Sequence, residues 1–124
     1  MKETIIVDTS VIVQYLKTGK GVLPVAYEKY NMVISVATYT ELLASKTFED
    51  ANLEKEVKDF VDKYFNVVEV NKTLSDEAAK LIRASEVSLA ISYVAATAIQ
   101  KGYAILSEEK RSFSGINGLN FIEI

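Results

Sequence analysis

The 124-residue chain has no cysteine and no histidine, and it has one proline and five glycines. Without cysteine there is no disulfide, no thiol nucleophile and no need for an oxidising compartment. Without histidine, a histidine general base, a Ser-His-Asp triad and the usual zinc site are all excluded. Chemistry is left to carboxylates, hydroxyls, lysines or a hard metal ion. The formal net charge is -3, so no global positive field draws in nucleic acid, and any such binding needs a local patch. No apolar run reaches the ~20 residues of a membrane span. The most apolar segment, Val87 to Ile99, is interrupted by Ser88, Ser92 and Thr97. The first apolar run is broken at Asp8 and lacks a secretory cleavage pattern, so no signal peptide is read and a cytoplasmic location is expected. There is no repeat, low-complexity tract or linker, and the proline and glycines fall mostly at turns. The length suits a single domain over residues 1–124 with one real core. Hydrophobic residues at 49% and charged residues at 25% are ordinary for a soluble globular protein.

What is present is organised around Thr4 to Leu16. Thr4 to Val7 reads as a short buried strand that runs into Asp8. A helix then starts at once, with Val11, Ile12, Tyr15 and Leu16 as its apolar face. Asp8, Thr9 and Ser10 occupy the joint. Asp8 has two readings there, a helix cap or a ligand-site carboxylate at the carboxyl end of a central strand.

The remaining chain alternates strands and helices. Pro24 fits the first turn of a short helix ending near Tyr30. Met32 to Val36 is the second strand, and Ala37 to Lys46 a helix that carries Glu41. Leu53, Val57, Phe60, Val61 and Tyr64 form the apolar stripe of an amphipathic helix. Phe65 to Val70 is the third strand. Thr73 to Asp76 looks like a capping box for the helix of Leu74, Ala78, Leu81 and Ile82. Ser88 caps a nearly all-apolar helix that stops at Gly102. Ala104 to Leu106 is the fourth strand, and Phe121 to Ile124 a short fifth strand at the edge. This pattern predicts an α/β fold with a parallel sheet and helices on both faces.

In that topology Asp8 ends strand one, Glu41 lies in the helix after strand two, and Ser107, Glu108 and Glu109 follow strand four. All start from one edge of the sheet. Taken singly, Glu41 reads as a solvated helix residue and Glu109 as part of a solvated loop. Taken together, they form a carboxylate group that persists most easily around a hard cation. Oxygen donors without histidine or cysteine favour Mg²⁺ or Mn²⁺ over zinc. Such an ion acidifies a bound water and stabilises charge on a phosphoryl oxygen. Metal-assisted phosphodiester hydrolysis is therefore the leading reaction class. A generic phosphate binder lacks support, since no Gly-rich loop follows strand one.

At these residues the sequence resembles the PIN-domain family, in particular the short single-domain toxins of the VapC group. The resemblance spans nearly the whole chain. It rests on Val7-Asp8-Thr9-Ser10, on Ile34-Ser35-Val36-Ala37-Thr38 leading to Glu41-Leu42, and on Val94-Ala95-Ala96-Thr97-Ala98. Lys101-Gly102, Phe113 and the Ile116, Gly118, Leu119 segment complete it. The resemblance implies a three-layer α/β/α domain with about five strands in the order 3-2-1-4-5. It also implies an Mg²⁺- or Mn²⁺-dependent RNA-cleaving site, a homodimer and a small antitoxin-like partner. Residue by residue, Asp8 matches the first acid and Glu41 the second. Ser107 matches the hydroxyl residue after strand four, and Glu109 falls where Asp or Asn is common. Asp8, Glu41 and Glu109 are thus the expected catalytic and metal-holding residues, with Thr9, Ser10 and Ser107 in support. The third acid of the family is replaced by Ile91, at the third position of a helix that starts after Ser88. Glu86 is the nearest acid that could substitute for it, and otherwise reads as a solvated loop residue. Lys110 and Arg111 are the nearest bases that could neutralise the acids in place of a metal. The expectation is a weak metal site with reduced or lost nuclease activity. The alternative is a catalytically inactive scaffold that binds protein or RNA. Tyr27, Tyr30, Tyr39, Phe48 and Tyr64 are more aromatics than a small core is expected to bury, which also points to a dimer.

Overall fold

The computed structural model describes residues 1–44 and 51–124. Four parallel strands form one sheet in the order β3-β2-β1-β4. They are β1 (Glu3–Val7), β2 (Tyr30–Ser35), β3 (Asn66–Val68) and β4 (Ala104–Leu106). Ile5 stands opposite Met32 of β2 and Ala104 of β4, and Ile34 opposite Val67 of β3. β1 is central, and Ile5, Ile6 and Val7 are all fully buried. A continuous apolar run is what a strand covered on both faces requires.

Successive side chains of a strand point to opposite faces, and they feed two cores. Ile5, Val7, Met32, Ile34 and Leu106 pack with Val11 and Ile12 of α1 (Thr9–Thr18), Leu23 and Ala26 of α2 (Leu23–Lys29), and Val57 and Val61 of α4 (Ala51–Tyr64). Ile6, Val33 and Ile105 pack on the other face with Val94, Ala95 and Ala98 of α6 (Leu89–Lys101) and with Phe113. α5 (Lys72–Ser85) lies against α6 through Leu74, Ala78 and Ala96. The run from Val94 to Ala98 is buried throughout, because its alanines let the helix approach the sheet closely. This is the expected three-layer α/β arrangement. No single helix among the described residues is long and apolar enough to cross a membrane.

Several expectations need correction. The fifth strand is reduced to one parallel bridge between Ile105 and Phe121. Ile105 N–H donates to Asn120 O and Ile122 N–H to Ile105 O, both at 2.8 Å. β4 itself is three residues long, which limits the ladder it can offer. α5 is capped by Asn71, whose side chain accepts from Leu74 N–H at 2.8 Å, two residues earlier than the Thr73 capping box. α3 (Val36–Leu43) is capped by Ser35, which accepts from Ala37 N–H at 3.1 Å. The expected end of that helix at Lys46, like Phe48, lies outside the described residues. Ser88 and Gly102 do bound α6 as the sequence indicates.

Candidate active site

The chain leaves β1 at Val7, and Asp8 N–H donates to Leu106 O at 2.9 Å, so the first residue past the strand is still tied to β4. β1 lies between β2, which follows it, and β4, which joins from the other side. That is the switch point where open α/β sheets leave a crevice at the carboxyl ends. Asp8 sits there with only 4% of its surface exposed. Its backbone has the extended geometry of a helix cap, yet its side chain makes no capping bond. Instead Oδ2 accepts two hydroxyl hydrogen bonds, from Ser10 and from Ser107, each at 2.8 Å.

Those hydroxyls are themselves held. Ser10 Oγ accepts from Glu108 N–H at 3.1 Å, and Ser107 Oγ from Glu109 N–H at 2.9 Å. Each serine has one proton and gives it to Asp8, so the 3.5 Å approach of the two oxygens is a consequence of sharing an acceptor. The result joins the β1–α1 joint to the loop after β4. Both bonds fall on Oδ2, which leaves Oδ1 without a hydrogen bond among the described residues.

Glu41 is in the second turn of α3 and exposed. Thr9 Oγ1 donates to its Oε1 at 2.7 Å, which brings Glu41 to the residue next to Asp8. Glu109 is exposed, at the start of the 3₁₀ turn Lys110–Phe113. It joins the network through its backbone N–H only. Asp8 is thus buried at the crevice edge, Glu41 is tied to its neighbour Thr9, and Glu109 reaches the same network through its main chain. Among the described residues, no three acidic side chains stand close enough to hold one metal ion. The donors suit Mg²⁺ or Mn²⁺ in kind, being oxygen only, but fall short in number.

Ile91 is the third residue of α6, and its N–H donates to Ser88 Oγ at 3.2 Å. Its half-buried side chain packs against the core of Ile6, Val33, Val94, Ala95 and Phe113. Glu86 lies five residues earlier at the end of α5, exposed and in the left-handed region at φ 55°. Lys110 is ion-paired with Glu123, and its Nζ stands 5.8 Å from the centre of the Phe121 ring. The tail, rather than the acids, engages this lysine.

Two features escaped the sequence reading. Thr38, one turn before Glu41 on α3, is fully buried with no hydrogen-bond partner for Oγ1 among the described residues. A buried threonine in a helix looks like any other small core residue in sequence. The second feature is a cavity of about 260 Å³ lined by Tyr15, Leu23, Pro24, Tyr27, Phe60 and Tyr64. Tyr15 stacks on Phe60, and Tyr27 meets Tyr64 edge-on. Tyr27 is 45% exposed, whereas Tyr30, Tyr39 and Tyr64 are half-buried.

The PIN domain family profile matches residues 5–119. The fold is similar to that of several solved proteins. A toxin-antitoxin complex from Klebsiella pneumoniae has a chain 20% identical, with a TM-score of 0.76, covering 97% of this chain and 99% of its own. A DNA-bound VapBC from Salmonella typhimurium has a chain 19% identical with a TM-score of 0.78, covering 98% of each. VapBC-1 from nontypeable Haemophilus influenzae has a chain 16% identical with a TM-score of 0.77, covering 97% of each. No curated protein sequence matches the chain.

Proposed function

The chain belongs to the PIN domain family, and from that premise we propose that it is a VapC-like toxin-type protein with an attenuated metal-dependent endoribonuclease site. The observation that carries this reading is Asp8, buried at the carboxyl end of the central strand and fixed by two serine hydroxyls. Asp8, Glu41 and Glu109 are the residues that would hold Mg²⁺ or Mn²⁺. When bound, such an ion supplies charge stabilisation at a phosphoryl oxygen and an acidified water. The remaining roles belong to the chain. Ser10 and Ser107 fix the rotamer of Asp8 and leave Oδ1 for a ligand. Thr9 does the same for Glu41. Ile91 withholds a donor from the rim. Mg²⁺ keeps several waters and gains little from each protein ligand, so one missing carboxylate weakens the site strongly.

The same reading gives the protein a homodimeric state, an antitoxin-like partner and RNA as substrate. The aromatic cavity, with exposed Tyr27 at its mouth, has the chemistry of a protein-binding surface, since tyrosines supply large contact area at interfaces. A second reading, a non-catalytic binding scaffold, is favoured by the packing of Ile91 into the apolar core. An RNA cleavage assay in Mg²⁺ and Mn²⁺ separates the two. Slow, metal-dependent cleavage that is lost in Asp8→Asn supports the nuclease. Absence of cleavage at every metal concentration supports the scaffold.

A further inference from the structure

A second cavity, of about 320 Å³, opens where the loop after β4 meets the tail. Its apolar walls are Leu106 at the end of β4, Val22 just before α2, and Ile122 in the tail. Its polar residues include Ser107, Glu108 and Lys110. Ser107 is the residue whose hydroxyl bonds Asp8, so the cavity and the candidate active site share a wall. Ligand pockets run from roughly 300 to 1,000 Å³, and this one lies at the small end, the size of one ring system rather than of a protein segment.

The charges narrow the ligand. The ammonium of Lys110 is ion-paired with Glu123, which also lines the cavity, and stands 5.8 Å from the centre of the Phe121 ring. Among the described lining residues no unpaired cation is left to hold a phosphate. Glu108 is placed differently. Its main-chain N–H donates to Ser10 Oγ at 3.1 Å, which fixes it to the Asp8 network. Its exposed carboxylate makes no hydrogen bond or ion pair among the described residues. An acceptor-only group thus stands beside apolar walls, which suits a flat ring with N–H donors on its edge. Among the RNA bases only guanine carries two adjacent donors on its Watson–Crick edge, N1–H and the N2 amino group, and a carboxylate accepts two such bonds side by side. Unstacked bases of single-stranded RNA are read on that edge. A guanidinium group of a partner protein offers similar donors, but the wall shared with Ser107 favours a base, because the backbone that carries it then runs past Asp8.

We propose that this cavity is a base subsite that takes guanine in single-stranded RNA, with Glu108 as its specificity-determining residue. This rests on the RNA reading above and deepens it, but its test does not depend on metal or on cleavage.

The probe is a labelled single-stranded oligouridine with one central guanosine, adenosine or inosine. Its binding to the full chain is read by fluorescence anisotropy at low salt, with chelator present so that metal and cleavage play no part. The guanosine oligomer is expected to bind at least about fivefold more tightly than the adenosine one, the lower end for a bidentate base contact. The inosine oligomer, which lacks the N2 amino group, falls between them. Glu108→Gln, which swaps one acceptor oxygen for a donor, abolishes the guanine preference and leaves the urea midpoint unchanged. Equal binding of the three oligomers, no binding of any, or a guanine preference that survives Glu108→Gln overturns the proposal. Tighter binding of an arginine amide than of the guanosine oligomer, lost in Glu108→Gln, assigns the cavity to a protein partner and overturns it too. Metal-dependent RNA cleavage with no guanine preference in binding would sink this inference and leave the nuclease reading standing. Guanine preference without cleavage would do the reverse.

Discussion

Asp8 concentrates the residue-scale argument, because a buried carboxylate needs hydrogen bonds to be tolerated. It takes two on one oxygen, from Ser10 and Ser107. Removing one, in Ser107→Ala, is expected to cost about 1.5–3 kcal/mol, the range for hydrogen bonds to charged groups. Chemical denaturation measures this, and a change indistinguishable from zero would mean that solvent replaces the bond. The position of Asp8 was legible in the sequence, since an apolar strand that stops at an acid before a helix marks a strand's carboxyl end. Its partners were only half legible. Ser10 is two residues away, but Ser107 is 99 residues away and is brought in by β1–β4 pairing. The choice between cap and site residue was open for the same reason. Both readings share one backbone geometry, and the side chain's direction is set by tertiary contacts.

At the scale of elements, helix ends carry the clearest local signals. Ser88, Gly102 and the alanine-rich face of α6 were all readable from residue type. The start of α5 was not, because Asn71 and Thr73 are both acceptable caps, and Asn71 is the one that caps it. The fifth strand failed for a different reason. Phe121 to Ile124 has strand-like composition, but the pairing available to it depends on the length of β4. The end of α5 yields a prediction. Glu86 adopts φ 55° there, a conformation that costs a residue with a Cβ about 1–2 kcal/mol. Glu86→Gly relieves that strain and lengthens the list of unfolded conformations. The expected net gain is about 0.5–1 kcal/mol, read as a higher urea midpoint. A lower midpoint would show that the glutamate side chain makes a stabilising contact at this corner.

At the scale of the molecule, strand–helix alternation specified a parallel three-layer fold because each strand needs both faces covered. The aromatic surplus that suggested a dimer is smaller than expected. Among the described tyrosines it comes down chiefly to Tyr27, with Val25 exposed two residues before it, while Leu89 and Ile99 are exposed on α6. The homodimer proposal predicts a mass of two chains in sedimentation equilibrium at tens of micromolar. A mass of 13.8 kDa, that of one chain, would contradict it.

In the proposed reading, a PIN site with Asp8, Glu41 and Glu109 is weakened by an apolar residue at position 91. Ile91→Asp adds a carboxylate at a helix start, favoured by ~0.3–1 kcal/mol. It also removes a half-buried isoleucine, at a cost of about 2–3 kcal/mol, toward the lower end for core truncation. The variant is therefore expected to fold with a lower urea midpoint. Calorimetric titration of Mn²⁺ into both proteins measures whether residue 91 sets the affinity of this site. Weak, millimolar-range binding by the natural sequence and clearly tighter binding by folded Ile91→Asp are expected. Tight binding by the natural sequence, or no gain in the folded variant, would contradict that reading.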